Sequence, residues 1–249
     1  MRLLDLFCGA GGAAMGYHQA GFTEIVGVDI VRQPRYPFTF MQADALAYLE
    51  KYGEEFDVIH ASPPCQAFTQ MSARWRGRGT KADTHTDLLT PIRCSLVARA
   101  QPYIIENVVG ARKHMATTCI LHGGMFDLQV SRPRLFESNY LLWTMTAPIP
   151  KPCIGVYGDH PQRYTTTRKN GAGNGRSVFL RAKSLEEARQ VMGIPWGTWN
   201  EIREAIPPAY TQWIGSQLLQ HLRPVPISPD AAPRPAGPPE PAGWERKEA

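Results

Sequence analysis

The sequence predicts an α/β fold in which helices cover both faces of one sheet. Short apolar runs of strand length alternate with amphipathic stretches of helix length as far as Glu106. Glycines mark the first strand-to-helix junction, and 249 residues with 43% apolar side chains can bury a core of that size. Regular alternation of this kind is typical of a Rossmann-like sheet.

The first three segments form a predicted βαβ unit. Residues 2–7 predict a strand, 11–20 a helix and 24–29 a second strand. The alternation continues with a strand at 38–41, a helix at 45–51, a strand at 57–61, a helix at 87–100 and a strand at 103–106. Pro91 is expected to shift or kink the start of the 87–100 helix, because proline lacks the N–H of a helix interior.

The pattern changes after the first domain, which we place at residues 1–136. Proline, glycine and basic residues replace the alternation over 137–180, which predicts a small insert. Residues 181–222 are expected to return to the main body, beginning with an amphipathic helix at 184–192. Eight prolines with little apolar content predict a disordered tail at 223–249.

Positive charge is concentrated in one segment. The chain has a net charge of +5, and residues 151–183 hold seven Lys or Arg against one Asp, which is +6 and leaves −1 elsewhere. Such a concentration favours contact with a polyanion through counterion release. A solvated basic surface explains the same charge about equally well.

Composition argues against several classes of protein. Five cysteines without a C-x-x-C pair predict neither a disulfide framework nor a structural zinc site, and we expect no metal. No apolar run approaches the roughly 18 residues that span a bilayer, and the first residues lack a basic leader. We therefore expect a cytoplasmic protein without membrane contact.

A thiol and a carboxylate occupy corresponding positions in the predicted sheet. Cys65 follows the 57–61 strand after a Ser62-Pro63 turn, and Glu106 ends another apolar run. Both residues are therefore expected at the same edge of the sheet. A thiol paired with an acid indicates covalent catalysis.

Two further features flank this pair. Residues 66–86 form a long polar segment with Gly77, Gly79 and four basic side chains, which predicts either a loop that closes over nucleic acid or plain disorder. Gly9, Gly11 and Gly12 lie between the first strand and helix, where they allow a ligand to approach the backbone or allow tight packing. Asp29, after the next strand, is placed to accept hydrogen bonds from ribose hydroxyls.

Six segments taken together resemble the motifs of the cytosine-C5 DNA methyltransferases, in that family's order and over roughly residues 1–222. They suggest a compact enzyme of the phage or restriction-modification kind. The segments are Asp5-Leu6-Phe7-Cys8-Gly9-Ala10-Gly11-Gly12, Gly27-Val28-Asp29, Pro63-Pro64-Cys65-Gln66, Glu106-Asn107-Val108, Arg132-Pro133-Arg134 and Glu186 to Pro195.

The resemblance implies a Rossmann-like class I methyltransferase sheet with a target-recognition insert at 137–180. It also implies S-adenosyl-L-methionine-dependent methylation of cytosine C5 in double-stranded DNA. Cys65 would add to C6, and Glu106 would hold the ring N3 and amino group while Asn107 braces the loop. Arg132 and Arg134, which alternate on a predicted extended segment, would both grip the cytosine carbonyl and its phosphate.

The resemblance also implies the binding residues. The target base must be flipped out of the duplex to reach the thiol, and the small insert predicts a recognition site of two to four base pairs, read by a monomer. Cofactor contacts are implied for Phe7, Gly9, Gly11, Gly12, Asp29, Ile30, Asp44, Ala45 and Pro63. DNA contacts are expected for Gln66, Ser72, Arg74, Trp75, Arg76, Arg163, Arg168 and Lys169.

Two segments depart from the family pattern. Val130 stands where the family usually has Gln, and residues 206–215 replace a Gly-Asn-Ser-Val motif. Two alternatives stay open at this point, a transfer RNA cytosine-C5 methyltransferase and a catalytically silent DNA-binding homologue. For the leading hypothesis we expect the cytoplasm of a bacterial or phage-infected cell.

Overall fold

A computed structural model describes residues 1–64, 87–116, 118–149, 152–161, 165–169 and 176–222. Seven strands form one sheet in the order β3-β2-β1-β4-β5-β7-β6, and β7 runs antiparallel to both of its neighbours. The predicted α/β sheet is confirmed. The strands are β1 (Arg2–Leu6), β2 (Glu24–Asp29), β3 (Thr39–Gln42), β4 (Val58–Ala61), β5 (Tyr103–Val108), β6 (Thr118–Leu121) and β7 (Arg134–Ser138).

Six α-helices lie in the described parts of the chain. Their bounds follow the sequence prediction closely in the first domain, where each helix differs from its predicted range by a few residues at most. The helices are α1 (Gly12–Ala20), α2 (Ala45–Tyr52), α3 (Leu89–Val97), α4 (Leu185–Met192), α5 (Trp199–Glu204) and α6 (Pro208–Leu222).

The start of α3 shows why Pro91 is tolerated. The Asp87 carboxylate accepts hydrogen bonds from the backbone N–H groups of Leu89 and Thr90, at 2.9 and 3.2 Å. Asp87 therefore caps the helix, which begins two residues later than predicted. Pro91 lies in the first turn, where backbone N–H groups have no partner within the helix.

Alternate residues of the strands face two different helix layers, as a pleated sheet requires. Leu3, Val58 and Ile104 pack with α1 and α6 on one face. On the other face, Leu4, Ile59 and Ile105 pack with α2 and α3. Helices therefore cover both faces, as predicted.

A small second sheet lies in the region of the predicted insert. Its order is β8-β10-β9, with β8 (Cys153–Gly155), β9 (Thr165–Lys169) and β10 (Arg176–Arg181). Residues of β8 share a third apolar cluster with α4 and α5. Within the predicted return at 181–222, α6 packs against the large sheet.

The domain limits themselves stay predictions. β7 continues to Ser138, two residues past the limit expected at 136. The tail at 223–249 lies outside the described residues. No helix in the described ranges is long and apolar enough to cross a membrane. Within the same ranges no three His, Cys, Asp or Glu side chains are grouped so as to hold a metal ion.

Candidate active site

Four predicted site segments meet at the carboxyl edge of the large sheet. The glycine turn follows β1, Asp29 ends β2, Pro63 follows β4, and Glu106 lies near the end of β5. β1 is hydrogen-bonded to both β2 and β4, so the strand order reverses at this point. Ligands of open α/β sheets bind at such a switch point. Cys65 itself lies outside the described residues.

The three glycines of the turn differ in the space that surrounds them. A Cβ added at Gly9 would have nothing within 4 Å, whereas one at Gly11 would lie 2.6 Å from Pro37 Cδ and one at Gly12 would lie 2.3 Å from the Ile206 carbonyl oxygen. Gly9 therefore leaves space for a ligand. Gly11 and Gly12 are required by the packing of the protein on itself.

The carboxylate of Asp29 is fixed beside that space. Its Oδ2 accepts a hydrogen bond from the Gly9 N–H at 3.1 Å, and its Oδ1 accepts one from the Val31 N–H at 2.9 Å. A carboxylate oxygen has two lone pairs, so each can accept a further bond. Ile30, which is 68% exposed, offers an apolar surface next to it. The pair suits a ribose and a flat aromatic base.

The remaining predicted cofactor residues line the same edge. Phe7 is half-buried and has a φ of 57°, an uncommon backbone conformation for a bulky residue. Asp44 is exposed and caps α2 by accepting a bond from the Ala47 N–H at 2.9 Å. Ala45 and Pro63 are buried. The cap gives Asp44 a structural role whether or not it touches a ligand.

Glu106 is a buried carboxyl group with a positively charged neighbour. Its side chain is 9% exposed, and Arg134 Nε lies 2.9 Å from Oε1. Among the described residues, that oxygen nevertheless has no hydrogen-bond partner of good geometry. Burial raises the pKa of Glu106, while Arg134, Arg132 and a hydrogen bond with the Ser62 side chain lower it. The carboxyl group can therefore take up and release a proton at this edge.

Asn107 joins β5 to the turn that precedes Cys65. It is 1% exposed, and its side-chain N–H donates to the Pro63 carbonyl oxygen at 3.1 Å. Because Pro cannot donate a backbone hydrogen bond of its own, this contact holds the turn from outside. It is the bracing contact expected from the sequence.

The two arginines do not lie on one extended segment, and that prediction is wrong for Arg132. Arg132 has a φ of 33°, and β7 begins only at Arg134. Arg132 Nε and Nη2 donate to the carbonyl oxygens of Ala205 and Arg203, at 2.7 and 2.6 Å. Arg134 instead reaches Glu106. The reversed backbone thus sends the two guanidinium groups to different partners.

Tyr210 and Val130 both lie in the protein interior. Tyr210 is fully buried, and its hydroxyl donates to the Arg132 carbonyl oxygen at 3.0 Å, so it supports the unusual backbone there. Val130, at the position where the family has Gln, is 2% exposed and belongs to the third apolar cluster. A polar contact from that position is replaced by core packing.

Sequence reasoning missed several buried polar residues beneath the site. Asp5 and His60 are fully buried and face each other on β1 and β4. Burial raises the pKa of Asp5 to about 7, although a hydrogen bond from Tyr36 lowers it and Asp29 raises it. Burial lowers the pKa of His60 to about 3. Their signal in the sequence is a polar residue inside a short apolar strand.

Only two of the eight predicted DNA contacts lie within the described residues. Arg168 and Lys169 lie on β9, at the edge of the small sheet. The others lie outside the described residues; they are Gln66, Ser72, Arg74, Trp75, Arg76 and Arg163.

Comparison with known proteins identifies one matching family and several relatives of this chain. Residues 1–122 match the model of the family described as C-5 cytosine-specific DNA methylase. Over 126 residues the chain is 32% identical to Type II methyltransferase M.HgiGI of Herpetosiphon aurantiacus, covering 45% of this chain and 94% of that one. Over 166 residues it is 30% identical to the "Probable DNA (cytosine-5)-methyltransferase" of Frog virus 3, covering 62% and 76%.

Other relatives are longer. The chain is 30% identical over 127 residues to Type II methyltransferase M.AgeI of Thalassovita gelatinovora, which covers 44% of this chain but only 28% of that protein. Among solved structures, an Entamoeba histolytica methyltransferase, EhMeth, and S. pombe Dnmt2 each give a TM-score of 0.55, at 12% and 14% identity. Each comparison covers 90% of this chain and 99% of the other. At this identity the likeness shows the fold alone.

Proposed function

Because the chain belongs to the family of C-5 cytosine-specific DNA methylases, we propose that it transfers a methyl group to C5 of cytosine in double-stranded DNA. The observation that carries the proposal is the buried Glu106. It lies beside Arg134, at the sheet edge where the Pro63-Pro64 turn leads to Cys65. Addition of a thiol to a cytosine ring requires such a carboxyl group with a raised pKa, and Cys65 follows this turn in the sequence.

In the proposed reaction the Cys65 thiolate attacks C6 of the cytosine. A sulfur–carbon bond forms, the electrons of the C5–C6 double bond move towards C5 and N3, and Glu106 supplies a proton or hydrogen bond to N3. C5 then becomes nucleophilic enough to accept the methyl group. A base removes the C5 proton, the sulfur leaves C6, and the double bond is restored with Cys65 regenerated.

The environment of Glu106 suits this task. Burial favours the protonated form, while Arg134 and the Ser62 hydroxyl favour the ionised form. The opposing effects keep both forms accessible, so the group can give up its proton to N3 and recover it later. We propose that Arg134 also contacts the cytosine, whereas Arg132 positions the start of β7 through its bonds to Arg203 and Ala205.

The residues around Gly9 fit S-adenosyl-L-methionine, which we propose as the cofactor. The open space at Gly9 and the fixed Asp29 carboxylate would receive the ribose, and Phe7, Ile30 and Asp44 would border the adenine. Gly11, Gly12, Ala45 and Pro63 would shape the surrounding wall. When bound, S-adenosyl-L-methionine supplies the methyl group as an electrophilic sulfonium.

For DNA binding we propose that the target base flips out of the duplex towards Glu106, since a thiol cannot reach C6 inside a duplex. The 66–86 segment and β9 are the proposed contacts to the duplex, and Lys or Arg on both would neutralise phosphates. We further propose a monomer that reads two to four base pairs in the cytoplasm of a bacterial or phage-infected cell.

Mass spectrometry of nucleosides tests this proposal directly. The protein is incubated with cytosine-containing duplex DNA and S-adenosyl-L-methionine, and the DNA is digested and weighed. We expect 5-methyldeoxycytidine from the unmodified protein and from Cys94→Ala, which removes an exposed cysteine on α3, but not from Cys65→Ala. DNA that stays unmodified with all three proteins would contradict the proposal, and transfer RNA would then be tried as substrate.

A further inference from the structure

Three polar side chains behind Glu106 take no direct part in the bond changes of the proposed reaction. Tyr17 on α1 and His60 on β4 are fully buried, and Ser62 is half-buried in the turn after β4. They come from different parts of the chain but lie in one line beneath the sheet edge. Buried polar groups that share one line of hydrogen bonds affect one another strongly, because the surroundings screen them weakly.

The hydrogen bonds run from the core to Glu106. The Tyr17 hydroxyl lies 3.0 Å from His60 Nδ1, and His60 Nε2 lies 2.9 Å from Ser62 Oγ. β4 pairs with β5 in the register His60 to Ile104 and Ala61 to Ile105, which places Ser62 beside Glu106. From there the Ser62 hydroxyl lowers the pKa of the Glu106 carboxyl group as a hydrogen-bond partner. The Tyr17 ring also packs edge-on against the His60 ring, with their centroids 5.4 Å apart, which fixes the imidazole plane.

The charge state of His60 gives this line a direction. Burial lowers the pKa of His60 to about 3, so the ring is neutral at working pH and has one N–H and one lone pair. When Ser62 donates to the Glu106 carboxylate, its oxygen accepts from His60 Nε2–H. His60 Nδ1 must then accept from the Tyr17 hydroxyl. All three donors consequently point towards Glu106.

We propose that Tyr17, His60 and Ser62 form a hydrogen-bond relay that positions Glu106 and favours its ionised form until cytosine binds. The relay rests on the proposed function, since it acts through the acid of that reaction. All three are positioning residues and touch neither substrate nor cofactor. Their effect on the reaction is exerted through the last bond of the line, from Ser62 to Glu106.

Other charged or titratable groups face this line and stay constant in the test. Arg132 and Arg134 lie near Glu106 from the β7 side, and Tyr210 approaches from α6. Asp5 faces His60 from β1. Because none of these residues is changed, a shift in the titration of Glu106 between variants reports on the relay.

The first measurement is the pH dependence of kcat/KM for methyl transfer, which reports the protonation of Glu106 before the substrate is bound. The rate should fall as pH rises through the pKa of Glu106, because the protonated acid is needed. Ser62→Ala removes the donor to the carboxylate. We therefore expect the pH at which the rate falls, the alkaline limb of the pH–rate profile, to rise by about one unit. Tyr17→Phe leaves His60 Nδ1 without its donor and should move the limb in the same direction by less. Ser62→Thr, which keeps the hydroxyl, should restore it.

The matched control is Tyr103→Phe. Tyr103 is a buried tyrosine on β5 whose hydroxyl donates to Glu137 Oε1 at 3.2 Å and has no bond to the relay. The Tyr103→Phe variant should lose about as much stability as Tyr17→Phe does, and its pH–rate profile should match that of the unmodified protein. If Ser62→Ala and Tyr17→Phe instead scale the rate equally at every pH, or change nothing, the relay does not exist.

A second readout separates this inference from the proposed function. The carboxyl group of Glu106 is titrated by NMR in protein labelled with ¹³C at the glutamate carboxyl, with Glu106→Gln to assign the signal. The Glu106 pKa should rise in Ser62→Ala and in Tyr17→Phe, but not in Tyr103→Phe. An unmoved pKa overturns the relay even if the protein methylates DNA. A moved pKa in a protein that methylates nothing supports the relay and overturns the proposed function.

Discussion

The cofactor side and the base side of the sheet edge are built in different ways. Around Gly9 and Asp29 the polar contacts come mainly from backbone N–H groups, those of Gly9 and Val31. Around Glu106 they come from side chains of distant segments, which include Ser62, Asn107 and Arg134. Backbone contacts hold a carboxylate in place, whereas buried side chains also set its pKa. The comparison indicates that binding depends on the first side and proton transfer on the second.

The difference in burial has a clear physical consequence. Asp29 is only partly buried and keeps contact with solvent, while Glu106 is almost fully enclosed. An enclosed charge interacts more strongly with its neighbours than an exposed one, because water no longer screens it. Substitutions on the base side should therefore alter the rate of reaction, and substitutions on the cofactor side should alter affinity.

The largest expected effect is that of Glu106→Gln. Glutamine cannot transfer a proton to N3, so we expect methylation at saturating cofactor to fall by about 10² to 10⁴-fold, the usual contribution of a general acid. The affinity for S-adenosyl-L-methionine should stay within a few fold of the unmodified protein. Rates are measured by methyl incorporation into duplex DNA, and affinity by calorimetry.

Either of two results would abolish the proposed separation of the two sides. One is a loss of cofactor affinity as large as the loss of rate. The other is an unchanged rate in Glu106→Gln, with circular dichroism showing the same fold. Glu137→Gln is unsuitable as a control, because Glu137 pairs with Arg93 at 2.8 Å and is 1% exposed, so its loss would destabilise the sheet.

A second prediction concerns the buried carboxyl group beneath the cofactor side. Asp5 has a pKa raised to about 7 by burial, whereas the unfolded chain ionises near 3.8. Between these values the unfolded state holds fewer protons, so the free energy of unfolding falls as pH rises. A difference of one bound proton corresponds to about 1.36 kcal/mol per pH unit. The ionisation of Asp5 should therefore lower the free energy of unfolding by about 2 to 3 kcal/mol between pH 5 and 7.5.

Asp5→Asn should remove this slope, because asparagine does not titrate and can still accept the bond from Tyr36. Urea unfolding at several pH values gives the measurement. Asp29 and His60 also face Asp5, and both remain in the variant. Protonation of His60 has the opposite effect, since it makes the free energy of unfolding rise with pH below about 6.5. Because both proteins contain His60, this effect cancels when they are compared. Parallel curves for the two proteins would show that Asp5 is ionised in the fold.

The same contrast explains which parts of the site the sequence could predict. Gly9 and Asp29 lie in short segments whose strand, turn and helix signals place them directly. The Tyr17, His60 and Ser62 line depends on how α1 packs over β4, which no local pattern records. Arg132 was misplaced for a similar reason, since its reversed backbone is supported by Tyr210, 78 residues away in sequence.

The smallest expected effects separate two glycines of one turn. Gly12→Ala would place a Cβ 2.3 Å from the Ile206 carbonyl oxygen, so we expect overpacking to lower the free energy of unfolding by about 1 to 3 kcal/mol. Gly9→Ala meets no atom within 4 Å and should cost about 1 kcal/mol through its φ of 47°. Its methyl group would nevertheless occupy the proposed cofactor space.

Gly193→Ala is the matched control for backbone strain. Gly193 ends α4 with a φ of 66° and has nothing within 4 Å, so its substitution carries the strain without reaching the sheet edge. Thermal unfolding should therefore rank Gly12→Ala as the least stable, with the other two alike. Calorimetry with S-adenosyl-L-methionine should show about tenfold weaker binding for Gly9→Ala alone. If Gly9→Ala and Gly193→Ala bind the cofactor equally well, the space at Gly9 is not the cofactor site, and the cofactor side must be sought elsewhere along the edge.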